Sequence, residues 1–308
     1  MLEVNSAIKD NAIFSNRYFV LKGSEINTKI EFPISEKYRD LLHLIMVSHF
    51  IETQNTSINQ IKLKTFYDED FNQIKKELEM LLGILTNRDI KILIVKKPRV
   101  GNQKTFELKN KSGGSILFSG GVDSICGSMK LLENVANYLV HVPSSKTVFG
   151  KMRKTLSNPA YKNTTTYCIN SRIKSKRDRT AISDTRGLLF LTAGYVMSKS
   201  LNQDKVYFCE NGGQLLDVML GNEVYVHSKA TKNTNLRYLN LVNSFLESVV
   251  PGIEIIYPFK NQTKAELISH YITSELFESA WSCYNLRQSV QCGACWNCFI
   301  TKDRKSVV

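Results

Sequence analysis

Two groups of residues in this sequence are spaced for chemistry. The first is Ser119-Gly120-Gly121-Val122-Asp123-Ser124, which directly follows the apolar run Ile116-Leu117-Phe118 and opens a helical stretch. Paired glycines let a backbone turn tightly and approach a ligand with no Cβ in the way. Free amides at the start of a helix point at whatever lies before it, and the helix dipole there favours an anion. Ser119 and Ser124 add hydroxyl donors. The combination predicts a site for a phosphate or pyrophosphate. A Gly-Lys-Ser/Thr phosphate loop is absent, which disfavours a P-loop kinase or GTPase.

The second group is Cys283, Cys292, Cys295 and Cys298, spaced C-x8-C-x2-C-x2-C. Two-residue gaps let neighbouring thiolates converge on one ion, and four sulfurs complete a closed tetrahedral zinc site. A closed site leaves no position for a reactive water, so the zinc is structural on this reading. An iron–sulfur cluster is the alternative that four thiolates also suit. Gly293 supplies the tight turn within the knuckle. The remaining cysteines, Cys126, Cys168 and Cys209, stand singly in apolar surroundings and read as small core residues.

Two further positions bear on the chemistry. Thr263 and Glu266 fit a capping box, which places Lys264 in the first turn of a helix, where the dipole disfavours a cation. A lysine held against that field suggests a negative partner; the plainer alternative is a solvated surface side chain. Glu210 and Asn211 follow an apolar strand. A carboxylate at Glu210 can accept hydrogen bonds from N–H donors.

These residues must be positioned by a fold. From about residue 115 the pattern alternates strands (115–118, 138–142, 164–169, 205–209 and 254–257) with helices (122–133, 186–198 and 237–246). Such alternation predicts βαβ units in a doubly wound, mostly parallel α/β sheet, which binds ligands at the C-terminal ends of its strands. The first 110 residues read as a smaller N-terminal α+β module, with strands at 17–21, 29–32 and 91–95. Helical spacing appears in Tyr38, Leu41, Leu42 and Ile45, and again from Phe71 to Leu85. Lys109 to Gly114 reads as a linker, dividing the chain into an accessory module (1–110) and a nucleotide domain (111–308).

At 308 residues with 43% hydrophobic and 22% charged side chains, the chain has the composition of an ordinary globular protein. No apolar run is long enough to span a bilayer, and the first residues lack a secretory pattern, so the expected place is the cytoplasm with no membrane partner. The net charge of +13, from 41 basic against 28 acidic residues, favours polyanionic partners such as nucleotides or RNA. The basic run Arg172, Lys174, Lys176, Arg177 and Arg179 reads either as a solvated loop or as one facing phosphate or a partner.

The Ser-Gly-Gly-Val-Asp-Ser loop resembles the PP-loop of the N-type ATP pyrophosphatases. That resemblance implies ATP cleaved between the α and β phosphates and AMP passed to a substrate oxygen. Ser119, Gly120, Gly121, Asp123 and Ser124 would hold the pyrophosphate, with Mg2+ neutralising it. The pair Trp281-Ser282-Cys283-Tyr284 and Gln291-Cys292-Gly293-Ala294-Cys295-Trp296-Asn297-Cys298 resembles the C-terminal zinc motif of the 7-cyano-7-deazaguanine synthase (QueC) family. The two resemblances together cover residues 115 to 298.

What the resemblance implies is a PP-loop ATP-dependent carbon–nitrogen ligase that forms AMP while activating a deazaguanine carboxylate. Its cofactors would be ATP, Mg2+ and structural Zn2+. Lys264 would stabilise the adenylyl-transfer transition state. Arg186, in Asp184-Thr185-Arg186-Gly187, would contact the nucleotide, and Glu210 and Asn211 the deazaguanine. A homodimer is common in the family. The chain departs from the family pattern at Glu210-Asn211-Gly212-Gly213-Gln214, where an Asp-, Tyr- and Pro-rich loop is usual, and in its N-terminal 110 residues. Those departures resemble relatives in bacterial antiviral defence operons that use a protein amine in place of ammonia. Two other readings stay open: a tRNA-modifying PP-loop enzyme, favoured by the basic surface, and a nucleotide-binding scaffold without catalysis.

Overall fold

The computed structural model describes residues 2–4, 7–8, 15–21, 24–30, 34–53, 58–97, 113–132, 138–141, 146–174, 184–216, 234–283, 291–293 and 298. Five strands form the expected parallel sheet: β7 (Ser115–Leu117), β8 (Tyr138–His141), β9 (Thr165–Lys174), β10 (Lys205–Tyr207) and β11 (Glu254–Ile256). Their spatial order is β11-β10-β7-β8-β9, all parallel, so the winding reverses between β7 and β10. In a doubly wound sheet the crevice at that reversal is where ligands bind.

Helices cover both faces. On one lie α3 (Val122–Leu132), α4 (Lys146–Leu156), α8 (Lys264–Tyr271) and α9 (Ser274–Ser279), closing a core of Ile116, Phe118, Ile125, Met152, Phe259 and Leu267. On the other lie α5 (Arg186–Ser200) and, after the one-turn helix α6 (Gly212–Leu215) in the chain, α7 (Leu236–Val249). Helix α5 is buried without interruption from Gly187 to Ser198. A helix apolar on every side is a central helix. Gly194 lets α5 press onto β7, since a Cβ there would sit 2.8 Å from Leu117 Cδ2.

The N-terminal residues are built onto this framework. Helix α1 (Glu36–Thr53) packs on α5 and α2 (Asp68–Thr86) on α7, and one continuous core joins Leu41, Ile45 and Phe71 to Leu188, Tyr195 and Phe245. Beyond them a second parallel sheet is ordered β1 (Leu2–Val4), β5 (Gln60–Thr65), β6 (Lys91–Lys96). The antiparallel strands β2 (Ala7–Ile8), β3 (Ser15–Leu21) and β4 (Ser24–Ile30) extend the main sheet by pairing β4 with β9, in register from Glu25↔Lys174 to Ile30↔Ile169. The sheet therefore has eight strands, five of them parallel.

That pairing corrects the reading of the basic run as a loop. Arg172 and Lys174 belong to β9, opposite Asn27 and Glu25; Lys176, Arg177 and Arg179 lie outside the described residues. The linker residues Lys109 to Ser112 lie outside them too. Among the described residues no helix is long and apolar enough to cross a membrane.

Candidate active site

The Ser119–Ser124 loop sits after β7, where the winding reverses. Gly120 adopts φ +76°, a conformation that glycine reaches without strain. Around it three hydrogen bonds close a ring. The Gly121 amide donates to Ser119 Oγ at 3.3 Å, Ser119 and Ser124 hydroxyls meet at 3.2 Å, and Ser124 Oγ donates to the Gly121 carbonyl at 2.9 Å. Since Ser124 spends its proton on Gly121, Ser119 is the donor between the two hydroxyls. The ring holds the turn in shape, and a phosphate oxygen would draw the Ser119 proton out of it.

Asp123, in the first turn of α3, is buried at 7% exposure. Its Oδ2 accepts from Asn211 Nδ2 at 2.9 Å and lies 3.5 Å from Lys264 Nζ. Its Oδ1 has no hydrogen-bond partner among the described residues. A buried carboxylate oxygen left without a donor is costly unless a cation or a ligand donor meets it.

Lys264 arrives from the start of α8. The capping box is complete: Thr263 N–H donates to Glu266 Oε2 at 2.6 Å, and Glu266 N–H to Thr263 Oγ1 at 3.4 Å. That cap fixes where α8 begins, and so sends the Lys264 ammonium inward to Asp123, at 11% side-chain exposure. It is not a solvated surface lysine.

Glu210 and Asn211 follow β10. The Gly212 amide donates to Gln262 O at 2.8 Å, and a Cβ on Gly212 would sit 2.3 Å from Lys260 O, so only glycine lets this loop lie against the turn before α8. Burial first, then the charge of Asp123, pushes the Glu210 carboxyl up to about 8, against the pull of Lys264 and Arg186. A protonated Glu210 donates a hydrogen bond as well as accepting one. Asn211 spends one donor on Asp123.

Arg186 is the first residue of α5, exposed, with its guanidinium 5.4 Å from the Phe190 ring centre. Its charge is felt at Glu210, as is that of Lys264. The structure thus brings the loop after β7, the loop after β10 and the start of α8 together through direct contacts, with Arg186 reaching the group electrostatically.

Near the C-terminus the thiols of Cys283, Cys292 and Cys298 lie within 4.8 Å of one another. Cys295 lies outside the described residues. The 3.9 Å between Cys292 Sγ and Cys298 Sγ matches the edge of about 3.8 Å in a tetrahedron of thiolates about 2.3 Å from zinc. The Cys292 amide donates to Cys283 Sγ at 3.3 Å, a bond that suits a thiolate, and Gly293 turns at φ +71° as its place in the knuckle requires. The donor set therefore fits a soft metal ion such as zinc.

Sequence spacing gives no sign of what joins this cluster to the loop. The Trp281 amide donates to Gly120 O at 2.9 Å, and Lys151 Nζ lies 5.6 Å from the Trp281 ring centre. Gln291, beside Cys292, accepts from the Ser282 amide at 3.3 Å and donates to Ala280 O at 3.1 Å. Cys126 and Cys209 are buried, and burial raises both thiols far above their usual range, which makes them poor nucleophiles.

No curated protein and no solved structure matches the chain significantly. The family described as queuosine biosynthesis protein QueC matches residues 133–304. That span contains Arg186, Glu210, Lys264 and the cysteine cluster but begins after the Ser119–Ser124 loop, so the loop and the match are separate observations. Covering more than half of the sequence, the match shows that the chain belongs to the QueC family.

Proposed function

We propose that the protein uses ATP to adenylate the carboxylate of a 7-carboxy-7-deazaguanine-like substrate and passes the acyl group to an amine. The observation that carries this reading is the Lys264–Asp123 pair beside the Ser119–Ser124 loop at the sheet's reversal, in a chain of the QueC family. A substrate carboxylate oxygen forms a bond to the α-phosphorus as the bond from that phosphorus to the bridging oxygen breaks, and pyrophosphate leaves. The amine then bonds to the acyl carbon and AMP departs, with the amine's proton passing to solvent. No covalent enzyme nucleophile is required, in accord with the raised thiols.

The roles follow from position. Loop amides and the Ser119 and Ser124 hydroxyls cradle the departing pyrophosphate. Lys264 stabilises the charge that develops during transfer. Mg2+ would shield the phosphates, and the buried Asp123, whose Oδ1 has no hydrogen-bond partner among the described residues by distance and angle, is the carboxylate suited to face it. Zinc held by Cys283, Cys292 and Cys298, with Cys295 as the expected fourth ligand, would fix the C-terminal segment against Gly120. Glu210 and Asn211 are the proposed deazaguanine contacts and Arg186 the nucleotide contact. The first 110 residues serve as an accessory module, and the acceptor is ammonia or, in an antiviral defence system, a protein amine.

The test is turnover of ATP with Mg2+ and 7-carboxy-7-deazaguanine, following AMP and the product mass. Substrate-dependent AMP with an amide, nitrile or protein-linked mass supports the reading and names the acceptor. ATP bound without substrate-dependent AMP would leave RNA modification or scaffolding.

A further inference from the structure

Helix α5 carries Arg186 into the site, yet it does not cap itself. Thr185 at its N-cap has φ −86° and ψ 0°, and its side chain makes no capping bond to the helix. The cap comes from α1. Glu52 accepts from the Asp184 amide at 2.5 Å through Oε1, and from the Thr185 amide at 2.9 Å and the Thr185 hydroxyl at 2.5 Å through Oε2. His49, one turn earlier on α1, meets Thr185 Oγ1 at 3.0 Å through Nδ1.

The proton arithmetic orders this cluster. The Thr185 hydroxyl has one hydrogen and spends it on Glu52, so His49 Nδ1 carries a hydrogen and donates. Glu52 thus does for α5 what the third residue of a capping box does for its own helix, and its negative charge lies where the α5 dipole is positive. These three bonds end on the two residues immediately before Arg186.

We infer that Glu52, supported by His49, is a positioning residue through which the N-terminal segment sets Arg186 for ATP binding. The inference rests on the reading that Arg186 faces the nucleotide. Its physical content is that Glu52 fixes the first turn of α5, so that releasing it displaces a guanidinium whose field reaches Glu210 and, through Glu210, the Asp123–Lys264 pair. The N-terminal residues thereby acquire a role in the reaction beyond extending the core.

The experiment uses the full chain. ATP affinity by titration calorimetry, KM for ATP, kcat and melting temperature are measured for Glu52→Ala, Glu52→Gln and Arg186→Ala, and for Glu52→Ala and Glu52→Gln each combined with Arg186→Ala. Glu52→Ala is expected to weaken ATP binding and raise KM between about tenfold and a hundredfold with kcat little changed. Glu52→Gln, which keeps one carbonyl acceptor, is expected to lose less. In the Arg186→Ala background each Glu52 change is expected to add less than about twofold. A merely structural cap would lower the melting temperature and the active fraction while leaving ATP affinity and KM unchanged, and that result overturns the inference. So does an equal loss with and without Arg186. If Glu52→Ala does not fold, Glu52→Gln decides by the same readings. If the unaltered protein binds ATP but makes no AMP with the deazaguanine, the proposed function fails while calorimetry still decides the positioning role; if it binds no ATP, both fall.

Discussion

The Trp281 amide donates to the Gly120 carbonyl across 2.9 Å, joining the segment that enters the cysteine cluster to the turn of the Ser119–Ser124 loop. Gly120 holds a positive φ, so the direction of its carbonyl is set by a backbone geometry that few residues tolerate. One hydrogen bond therefore joins the segment leading into the cysteine cluster to the Ser119–Ser124 loop.

Metal removal should consequently be felt at ATP. Chelation, or Cys283→Ser, is expected to release one zinc per chain and to weaken ATP binding by about tenfold or more, since misplacing a site by about 1 Å can cost on the order of a hundredfold. Metal analysis beside an ATP titration checks it. Full ATP affinity in metal-free protein would show that the Trp281 bond persists without the cluster.

Lys264 and Asp123 make a second prediction. Lys264→Gln should lower kcat for AMP formation by about 10²–10³, with a smaller change in KM, because its contribution grows with the charge of the transition state. The substitution also leaves the buried Asp123 without its cation, so the melting temperature should fall by an amount corresponding to roughly 1–3 kcal/mol. Steady-state kinetics at saturating ATP separates the two effects; an unchanged kcat would move the charge-stabilising role to another residue.

Much of this site is legible in the sequence because its signals are local. Gly120 and Gly121 between two serines, the Thr263–Glu266 box and the short gaps between cysteines each specify their geometry within a few residues. The alternation that marks β7 to β11 is equally local. The relationships that escape the sequence are long-range. Nothing near Glu52 or Thr185 announces that they bond, since tertiary packing of α1 on α5 brings them together. Strand β9 runs on through Arg172 and Lys174 because β4 pairs with it, and charge alone does not report pairing. Strand β5 buries Ile61 and Leu63 between lysines, a period-two signal weakened by residues with little preference for strands.

Glu210 gives a prediction in pH. The unfolded chain gives up this proton near 4.5 and the folded chain near about 8, so between those values the folded state binds more protons. Stability is then fully supported below 4.5 and falls as pH rises through about 8. Asp40, raised to about 6 mainly by burial, adds a loss of the same sign, whereas the buried His43, lowered to about 3, acts oppositely. The difference between unaltered protein and Glu210→Gln isolates the one group. Chemical denaturation at about pH 5 and about pH 8 should show the smaller loss in Glu210→Gln. Equal losses in both proteins would mean that Glu210 is ionised throughout.

The pairing of β4 with β9 bears on how the chain is made. A ribosome releases Ile30 long before Ile169, its partner in the sheet. The early hairpin of β3 and β4 must therefore wait with one edge open while the parallel strands β7 and β8 are still being synthesised. An unpaired edge is a site for joining another chain, and slow long-range pairing prolongs the exposure. Completion of β9 ends it by covering that edge, so the last residues of this strand close that period of exposure.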